Sequence, residues 1–238
     1  MPRNGARKNE MAYILDGLKH GLAILLPPSR EILQIVFLSL IVSGSATLLA
    51  AAAAIPAALL LALREFRGKR FLVGAINTAL AVPAVLIGLL VYGLVSRRGP
   101  LGTLALLFTP GAMIMAQALL AFPLITALAL AALKGIARDA RDLALSLGAN
   151  RLQLALAVIR QGRFAFLTAL IAGFSRVIGE TGMTLMVGGN IKGQTRVLTT
   201  AISLETMKGN FEIGIALGIV LLLVALVINI ALQWAQGK

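Results

Sequence analysis

The sequence contains no cysteine and only one histidine among its 238 residues. Without cysteine there is no disulfide, no thiolate nucleophile and no metal site built on sulfur. A single histidine excludes a multi-histidine metal centre, and a Ser-His-Asp triad could use only His20. Charge is also scarce, because 13% of the residues are charged, against about a quarter in ordinary soluble domains. Together these shortages exclude a secreted disulfide scaffold, a disordered tail and a soluble globular enzyme.

Apolar residues are correspondingly frequent. They make up 59% of the chain, and the mean hydropathy is +0.93. The net charge is +13, from 22 Lys and Arg against 9 Asp and Glu. In a soluble protein this balance would indicate nucleic acid. Here the basic residues separate long uncharged runs, so we predict that the anionic partner is the phospholipid headgroup layer and not nucleic acid.

Five apolar runs are long enough to cross the hydrocarbon core, which takes roughly 20 residues. Four are uncharged, and the fifth is interrupted only by Arg176 and Glu180. None alternates in the manner of barrel strands, so we predict an all-α polytopic bundle of about five transmembrane helices. Within the third run, Pro110 and the glycines near position 100 predict a short re-entrant or surface piece before a span from about Gly111 to Leu133. The five runs are Ile32–Leu63, Phe71–Ser96, Gly99–Leu133, Phe164–Ile191 and Ile213–Gly237.

Residues 1–31 differ from the transmembrane domain predicted over 32–238. Met1–Glu10 is polar and basic, and the apolar stretch Gly21–Ser29 is too short to span a membrane. The stretch lacks a small-residue cleavage site, so we predict a basic tail and an interfacial amphipathic segment, not a signal peptide. Met11 is an alternative start. Basic residues divide almost evenly between the two sides, and they favour an external N-terminus only when this segment is left out.

The loop at 134–163 is the one long polar segment in the interior of the sequence. Asp139 can cap a helix, and Asp142 adds negative charge to its first turn. Gly148 suits a C-terminal stop, and Asn150 tolerates the turn that follows. We therefore predict a short amphipathic helix that begins near Asp139, ends sharply, and projects as a knob for a partner's groove. A second helix then leads into the fourth span.

Within this loop, Asp142–Ala149 resembles the EAA loop of the permease subunits of bacterial ABC importers. Asp142 stands where that motif has Glu, whereas Ala144 and Gly148 match it. The downstream Ile-x-Leu-Pro is replaced, with Val158 at the Ile position and Arg160-Gln161 at Leu-Pro. The resemblance implies a cytoplasmic coupling loop, and hence an external N-terminus. It also implies contact with an ATPase subunit through Asp142, Ala144, Gly148 and Ala149.

Arg176 and Glu180 are one helical turn apart inside the fourth apolar run. Ionisable groups at membrane depth are costly, and they usually face a bundle interior or an aqueous cavity. Two interpretations follow from the residues alone. The charges form an internal ion pair that keeps both satisfied, or they line a transport path or its gate together with Thr181. In the second case Arg176 offers positive charge to an anion.

The segment after this run is rich in glycine, but it lacks the Gly-Lys-Ser/Thr ending of a phosphate-binding loop. Its Gly-Asn-Ile-x-Gly-x-Thr-Arg pattern, at 189–196, resembles molybdate and tungstate permeases. Leu204–Gly209 reads Leu-Glu-Thr-x-x-Gly and, with the missing Leu-Pro, is more like the tungstate branch. The resemblance implies an external loop that carries Asn190, Lys192, Thr195 and Arg196.

Taken together, the resemblance implies a type I (MetI-like) ABC importer permease of the bacterial inner membrane that moves tungstate. It implies two ATPase subunits, an extracytoplasmic oxyanion-binding protein and a second copy of the chain. No nucleotide, cofactor or metal motif is present, so we predict no enzyme activity. Other oxyanions such as molybdate, a membrane enzyme and a passive channel remain as alternatives. Gly214 and Gly218 predict close helix packing within or between copies, and Trp234 predicts an interface anchor.

Overall fold

The computed structural model describes residues 29–146, 148 and 150–235. Over these residues the chain forms α-helices, one 3-10 turn at Gly102–Leu104, and no strand. The predicted all-α membrane fold is therefore confirmed. In chain order the helices are α1 (Arg30–Leu63), α2 (Lys69–Ala79), α3 (Ala84–Val95), α4 (Pro110–Ser146), α5 (Arg151–Gln161), α6 (Arg163–Ile178), α7 (Gly182–Gly188), α8 (Leu198–Met207) and α9 (Phe211–Ala235).

Helix α1 begins at a capped end and packs through small residues. The Ser29 side chain accepts the Ile32 amide at 3.2 Å, and Glu31 places negative charge in the first turn, where the helix dipole favours it. Small and β-branched residues recur every fourth position and are buried, which lets α4 approach closely. α1 and α4 form the most extensive helix pair of the bundle. The buried row consists of Val42, Ala46, Ala50, Ala54 and Ala58.

The second predicted span, Phe71–Ser96, was wrong as a single helix. It is split into α2 and α3, whose axes differ by 101°. At about 1.5 Å per residue, neither piece crosses a hydrocarbon core of about 30 Å. Pro83 explains the break, because it has no amide hydrogen and drives Val82 away from helical backbone angles.

The third run behaves as predicted at its start and differently at its end. The 3-10 turn precedes a long helix that starts at Pro110. However, α4 continues through Asp139 to Ser146, so the prediction that Asp139 begins a separate short helix was wrong. Between Leu133 and Asp139 the sequence holds no proline, and the single Gly135 costs only about 1 kcal/mol relative to alanine. The helix therefore has no reason to stop where its apolar part does.

The fourth predicted span, Phe164–Ile191, is also broken. α6 ends at Ile178, residues 179–181 interrupt the helix, and α7 follows. α5 and α6 meet at a bend of 61°. Three helices are long and apolar enough to span a membrane, and the total rises to five if each bent pair counts as one span. The predicted five spans are the upper end of that range.

Helix α9 closes the bundle against α8. Gly214 lies under this contact, since a Cβ there would stand 3.1 Å from the Thr206 hydroxyl. The small-residue pair therefore packs at Gly214 within the chain, whereas a Cβ at Gly218 would meet nothing within 4 Å. Trp234 is 78% exposed near the end of α9, where an interface anchor is expected.

Candidate functional site

The two intramembrane charges lie one helical turn apart, at the break between α6 and α7, and form an ion pair. Arg176 Nη1 lies 3.2 Å from Glu180 Oε2, and the side chains are 44% and 14% exposed. The other carboxylate oxygen of Glu180 accepts the Met183 amide at 3.4 Å, at the start of α7. Thr181 directly precedes α7. The arginine therefore keeps an open side, while its partner is held in the break.

The backbone carbonyl of Glu180 is freed by the break and finds two hydroxyl partners. Thr184 donates to it at 2.9 Å from α7, and Thr199 donates at 3.1 Å from α8. Gln117 of α4 in turn donates to the Thr184 hydroxyl at 3.4 Å. Because an unpaired carbonyl in hydrocarbon costs several kcal/mol, these contacts stabilise the broken geometry.

This polar cluster was missed by sequence reasoning, although a signal for it exists. Gln117 is the one amide side chain within the uncharged run 110–133. It is buried, and its Oε1 atom has no hydrogen-bond partner within the described residues. The half-exposed guanidinium of Arg176 supplies positive charge at this break, whereas the hydroxyl hydrogens of Thr184 and Thr199 are already directed at the Glu180 carbonyl. A guanidinium with an open side can contact an anion.

The loop at residues 189–197, which we call the outer loop after its predicted external position, is a compact turn that follows α7. Gly189, Asn190 and Gly193 all have positive φ, at 70°, 51° and 75°. The Thr195 hydroxyl accepts the Ile191 amide at 2.9 Å and donates to the carbonyl of Gly188. The buried Asn190 Oδ1 and Arg196 Nε atoms have no partner among the described residues. The hydrogen bonds of the Thr195 side chain therefore hold the loop in its compact conformation.

Two cations of the outer loop meet the start of α1. Lys192 Nζ lies 2.8 Å from Glu31 Oε2, and Arg196 Nη1 lies 3.5 Å from Glu31 Oε1. A cavity of about 340 Å³ adjoins them, with apolar walls from α1. The loop is thereby tied to the first helix by charge. The cavity is lined by Glu31, Gln34, Ile35, Phe37, Leu38, Ile41, Lys192, Gly193 and Arg196.

At the end of α8, Glu205 accepts hydrogen bonds from Asn210 and Lys208, each at 2.8 Å. The Asn210 hydrogen bond, followed by that of Lys208, lowers the pKa of the Glu205 carboxyl below its ordinary value, and burial opposes them. The positive charges of Lys208 and Arg196 act in the same direction as the hydrogen bonds. Glu205 therefore remains ionised and fixes the turn between α8 and α9.

The turn between α4 and α5 pivots on Gly148, which has a φ of 67° and is exposed. A Cβ there would meet nothing within 4 Å. Asn150 then begins α5 with a reciprocal cap, in which its side chain accepts the Gln153 amide at 2.9 Å and the Gln153 side chain accepts the Asn150 amide at 2.8 Å. The predicted sharp stop and turn at Gly148 and Asn150 are confirmed as local geometry.

The other predicted coupling residues lie beside this turn. Asp139, Asp142 and Ala144 belong to the last turns of α4, and Ala149 lies outside the described residues. The turn, the charged helix break and the outer loop occupy three different parts of the fold. Within the described ranges, no group of three or more His, Cys, Asp or Glu side chains could hold a metal ion.

Comparison with known proteins assigns the chain to a family. Residues 54–237 match the family described as "Binding-protein-dependent transport system inner membrane component". The tungstate uptake permease TupB of Peptoclostridium acidaminophilum is 40% identical over 96% of this chain and 100% of its own. The molybdenum permease ModB of Haemophilus influenzae is 31% identical over 69% of this chain and 76% of its own.

A solved structure shows the same architecture. It is a bacterial ABC transporter involved in the import of the acidic polysaccharide alginate, and its chain matches with a TM-score of 0.73. The match covers 92% of this chain and 82% of the other, at 18% identity, so it establishes the fold. With the family match and the apolar helices, it shows that the chain belongs to the inner-membrane components of binding-protein-dependent transport systems, as a multi-pass permease of the type I ABC importer fold.

Proposed function

We propose that this chain is the permease subunit of an ATP-driven importer that moves tungstate across the inner membrane. One observation carries the choice of substrate: the 40% identity to a tungstate uptake permease extends over 96% of the chain. The similarity to the molybdenum permease is lower and covers 69% of the chain. The assembly that we propose contains two copies of the chain, two cytoplasmic ATPase subunits and an extracytoplasmic oxyanion-binding protein.

The cost of moving a dianion sets the form of the path. Desolvating an isolated ion costs tens of kcal/mol by Born estimates, so the path is polar or hydrated when open. Arg176 offers a partly exposed cation beside Glu180 and Thr181. One cation that already has a carboxylate partner cannot form a tight cage for a dianion. We therefore assign weak, transient contact to this site and strong selection to the separate binding protein.

Coupling to the ATPase goes through the turn at Gly148. In our proposal the end of α4, with Asp139, Asp142 and Ala144, docks on the ATPase together with Gly148, Ala149 and Asn150. Because α4 is one helix of 37 residues, it is about 55 Å long at 1.5 Å per residue. A push at its cytoplasmic end therefore travels along continuous helix as far as Pro123, the proline inside α4. Alternating access then follows as rigid-body movement biased by the nucleotide state of the partner.

The energy for transport comes from that partner. The sequence carries no nucleotide-binding motif, so the purified chain alone should hydrolyse no ATP. Turnover that survives removal of contaminating ATPases would contradict this division of labour. A passive channel is the rival class, and flux of tungstate through vesicles that persists without ATP would favour it.

A competition experiment tests the substrate. Cells or vesicles that contain the complete transporter take up labelled tungstate in the presence of excess molybdate, and the reverse. We expect molybdate to compete poorly against tungstate. Equal competition would assign the chain to oxyanions in general, and preferential uptake of molybdate would overturn the tungstate proposal. A mutant that lacks the binding protein separates selection by that protein from selection by the permease.

A further inference from the structure

Helix α5 presents three different faces around its circumference. One face packs into the bundle, with Val158 fully buried and Leu154 packed against the core. A second face is apolar and uncovered: Leu152 is 68% exposed, Leu156 is 56% exposed and Ile159 is 39% exposed. A third face is exposed and mainly polar, and it consists of Gln153, Ala157, Arg160 and Gln161.

Helical spacing shows how these faces are arranged. At about 100° per residue, Leu152, Leu156 and Ile159 fall within one stripe on one side of the buried face. The polar residues fall on the other side of it. The two flanks therefore point about 120° apart, and Arg160 lies at the edge where they meet. A helix that turns both an apolar flank and a polar flank away from its core contact fits a boundary between hydrocarbon and water.

The position of α5 along the bundle agrees with such a boundary. Its end meets α6 at Gly162, where a Cβ would stand 3.0 Å from Leu133 Cδ2. Leu133 is the last residue of the uncharged run of α4, and Lys134 follows it. The joint between α5 and α6 therefore lies at the level where the apolar part of α4 ends. On α6, Arg163 marks the same level, because residues 164–175 are uncharged.

The bend keeps the rest of α5 near this level. α5 has 11 residues, so it is about 16 Å long. With a bend of 61°, it extends about 8 Å along the direction of α6 and about 14 Å sideways. A sideways excursion with so small a change of depth keeps the whole helix within the headgroup and upper acyl region, which is several ångströms thick.

The charges near the apolar stripe indicate which class of lipid binds there. Arg160 is exposed next to the apolar stripe, and Arg163 is exposed at the joint, where its guanidinium lies 4.6 Å from the Phe164 ring centroid. The segment 134–163 carries six Lys or Arg residues and two Asp residues. Basic residues at the edge of a membrane-bound apolar face attract anionic headgroups.

We infer that α5 is an interfacial helix that binds anionic phospholipid of the cytoplasmic leaflet. Its Leu152–Leu156–Ile159 stripe faces the acyl chains from the headgroup level, and Arg160 and Arg163 contact headgroup phosphates. The lipid surface thus holds the segment that connects the Gly148 turn to α6. The choice of leaflet rests on the proposed function, whereas the contact with lipid rests on the geometry of α5.

The absence of cysteine makes a direct test possible, because a single introduced cysteine carries a label at one place only. Leu156→Cys and Ala157→Cys place nitroxides on adjacent residues of the two flanks in the full chain, reconstituted in vesicles that contain phosphatidylglycerol. We expect the ratio of oxygen to nickel-complex accessibility to be several-fold higher at 156 than at 157. High nickel accessibility at both positions would place the stripe in water and overturn the inference.

Protein contact would give a different result. If both labels are shielded from oxygen and nickel, a second copy covers the stripe. If the shielding appears only after the ATPase is added, the ATPase covers it. Either result overturns the assignment to lipid. Transport does not enter this measurement, so the inference can fail while the proposed function stands, and the reverse.

Charge specificity needs a second readout. A fluorophore at position 156 should be quenched more by brominated phosphatidylglycerol than by brominated phosphatidylcholine. Arg160→Gln with Arg163→Gln should bring that ratio towards one. Arg64→Gln, an exposed arginine at the end of α1, should leave the ratio unchanged. If the ratio is unchanged by the Arg160 and Arg163 substitutions, the anionic part of the proposal is wrong.

Discussion

The Gly148 turn and the outer loop share one backbone device but are secured differently. Each contains a glycine with positive φ at which a Cβ would meet nothing within 4 Å, Gly148 at 67° and Gly193 at 75°. The outer loop is fastened by the Thr195 hydroxyl and by ion pairs to Glu31. The Gly148 turn is followed by a cap that is local to α5. The same local geometry therefore serves a loop that is tied to α1 in one place and an exposed glycine turn in the other.

The largest expected effect comes from substituting Gly148, with the same substitution at Gly193 as the matched comparison. A valine at either position meets the same penalty for a left-handed backbone, about 1–2 kcal/mol. Gly148→Val should abolish uptake while insertion into the membrane stays normal, because it alters the surface that we propose docks on the ATPase. Gly193→Val should retain most uptake. Uptake by complemented cells, with immunoblots of membrane fractions, measures both.

Equal loss of uptake in the two valine variants would contradict a special role for the Gly148 turn, since backbone strain alone would then explain both losses. Normal uptake by Gly148→Val would refute the docking role of the turn. Gly148→Ala sharpens the result, because it carries the backbone strain with little added bulk.

Arg176 should matter more than the cations of the outer loop. Arg176→Ala removes the positive charge beside the proposed path and leaves the nearly buried Glu180 unpaired, so uptake should fall by about tenfold or more, equivalent to about 1.4 kcal/mol. Lys192→Ala breaks an exposed pair with Glu31, and exposed pairs contribute about 0–1 kcal/mol. Initial uptake rates at saturating binding protein compare the two.

The double variant Arg176→Gln with Glu180→Gln distinguishes a role of the pair in the transport path from a purely structural role. It removes both charges and leaves none unpaired. If it restores uptake, the pair is purely structural and the path assignment is wrong. If uptake stays low while the chain remains folded, the charge of Arg176 itself is required.

The outer loop should owe its stability to Thr195. Thr195→Val keeps the shape of the side chain but leaves the Ile191 amide and the Gly188 carbonyl without this partner, which costs about 1–3 kcal/mol. The thermal unfolding midpoint in detergent should fall. Thr78→Val is the matched control, because the exposed Thr78 hydroxyl donates only to the Gly74 carbonyl one turn earlier in its helix. A midpoint that is equally unchanged in both variants would contradict the view that the loop is fastened from inside.

The smallest expected effect is the pH dependence of the turn after α8. Because hydrogen bonds from Asn210 and Lys208 lower the pKa of Glu205, its contribution to stability is complete above the unfolded value of about 4.3. The contribution is lost as the pH falls below that value and through the lowered pKa of the folded state. Glu205→Gln should therefore slightly reduce the amount of folding stability that is lost as the pH falls below this range. Asn210→Ala should do so in part, and an unaltered acid limb in both variants would count against the assignment.

The sequence predicted the membrane class, the all-α fold and the start of the third span, because long uncharged runs permit little else. It predicted the turn at Gly148 and Asn150 from residues with strong local preferences. It missed the break in the second run, although Pro83 marks it, because run length outweighed the proline. It also placed a helix start at Asp139, where nothing interrupts α4. The Gln117–Thr184–Thr199 cluster depends on contacts between distant segments, which spacing along one helix does not reveal.

One consequence follows from the two hydroxyls on the Glu180 carbonyl. A hydroxyl rotates about its own bond while it keeps its hydrogen directed at the acceptor, so this contact tolerates small changes of angle that a peptide ladder does not. The two donors reach the same oxygen from α7 and from α8. This contact between α7 and α8 therefore tolerates small rotations of the two helices without leaving the Glu180 carbonyl unpaired.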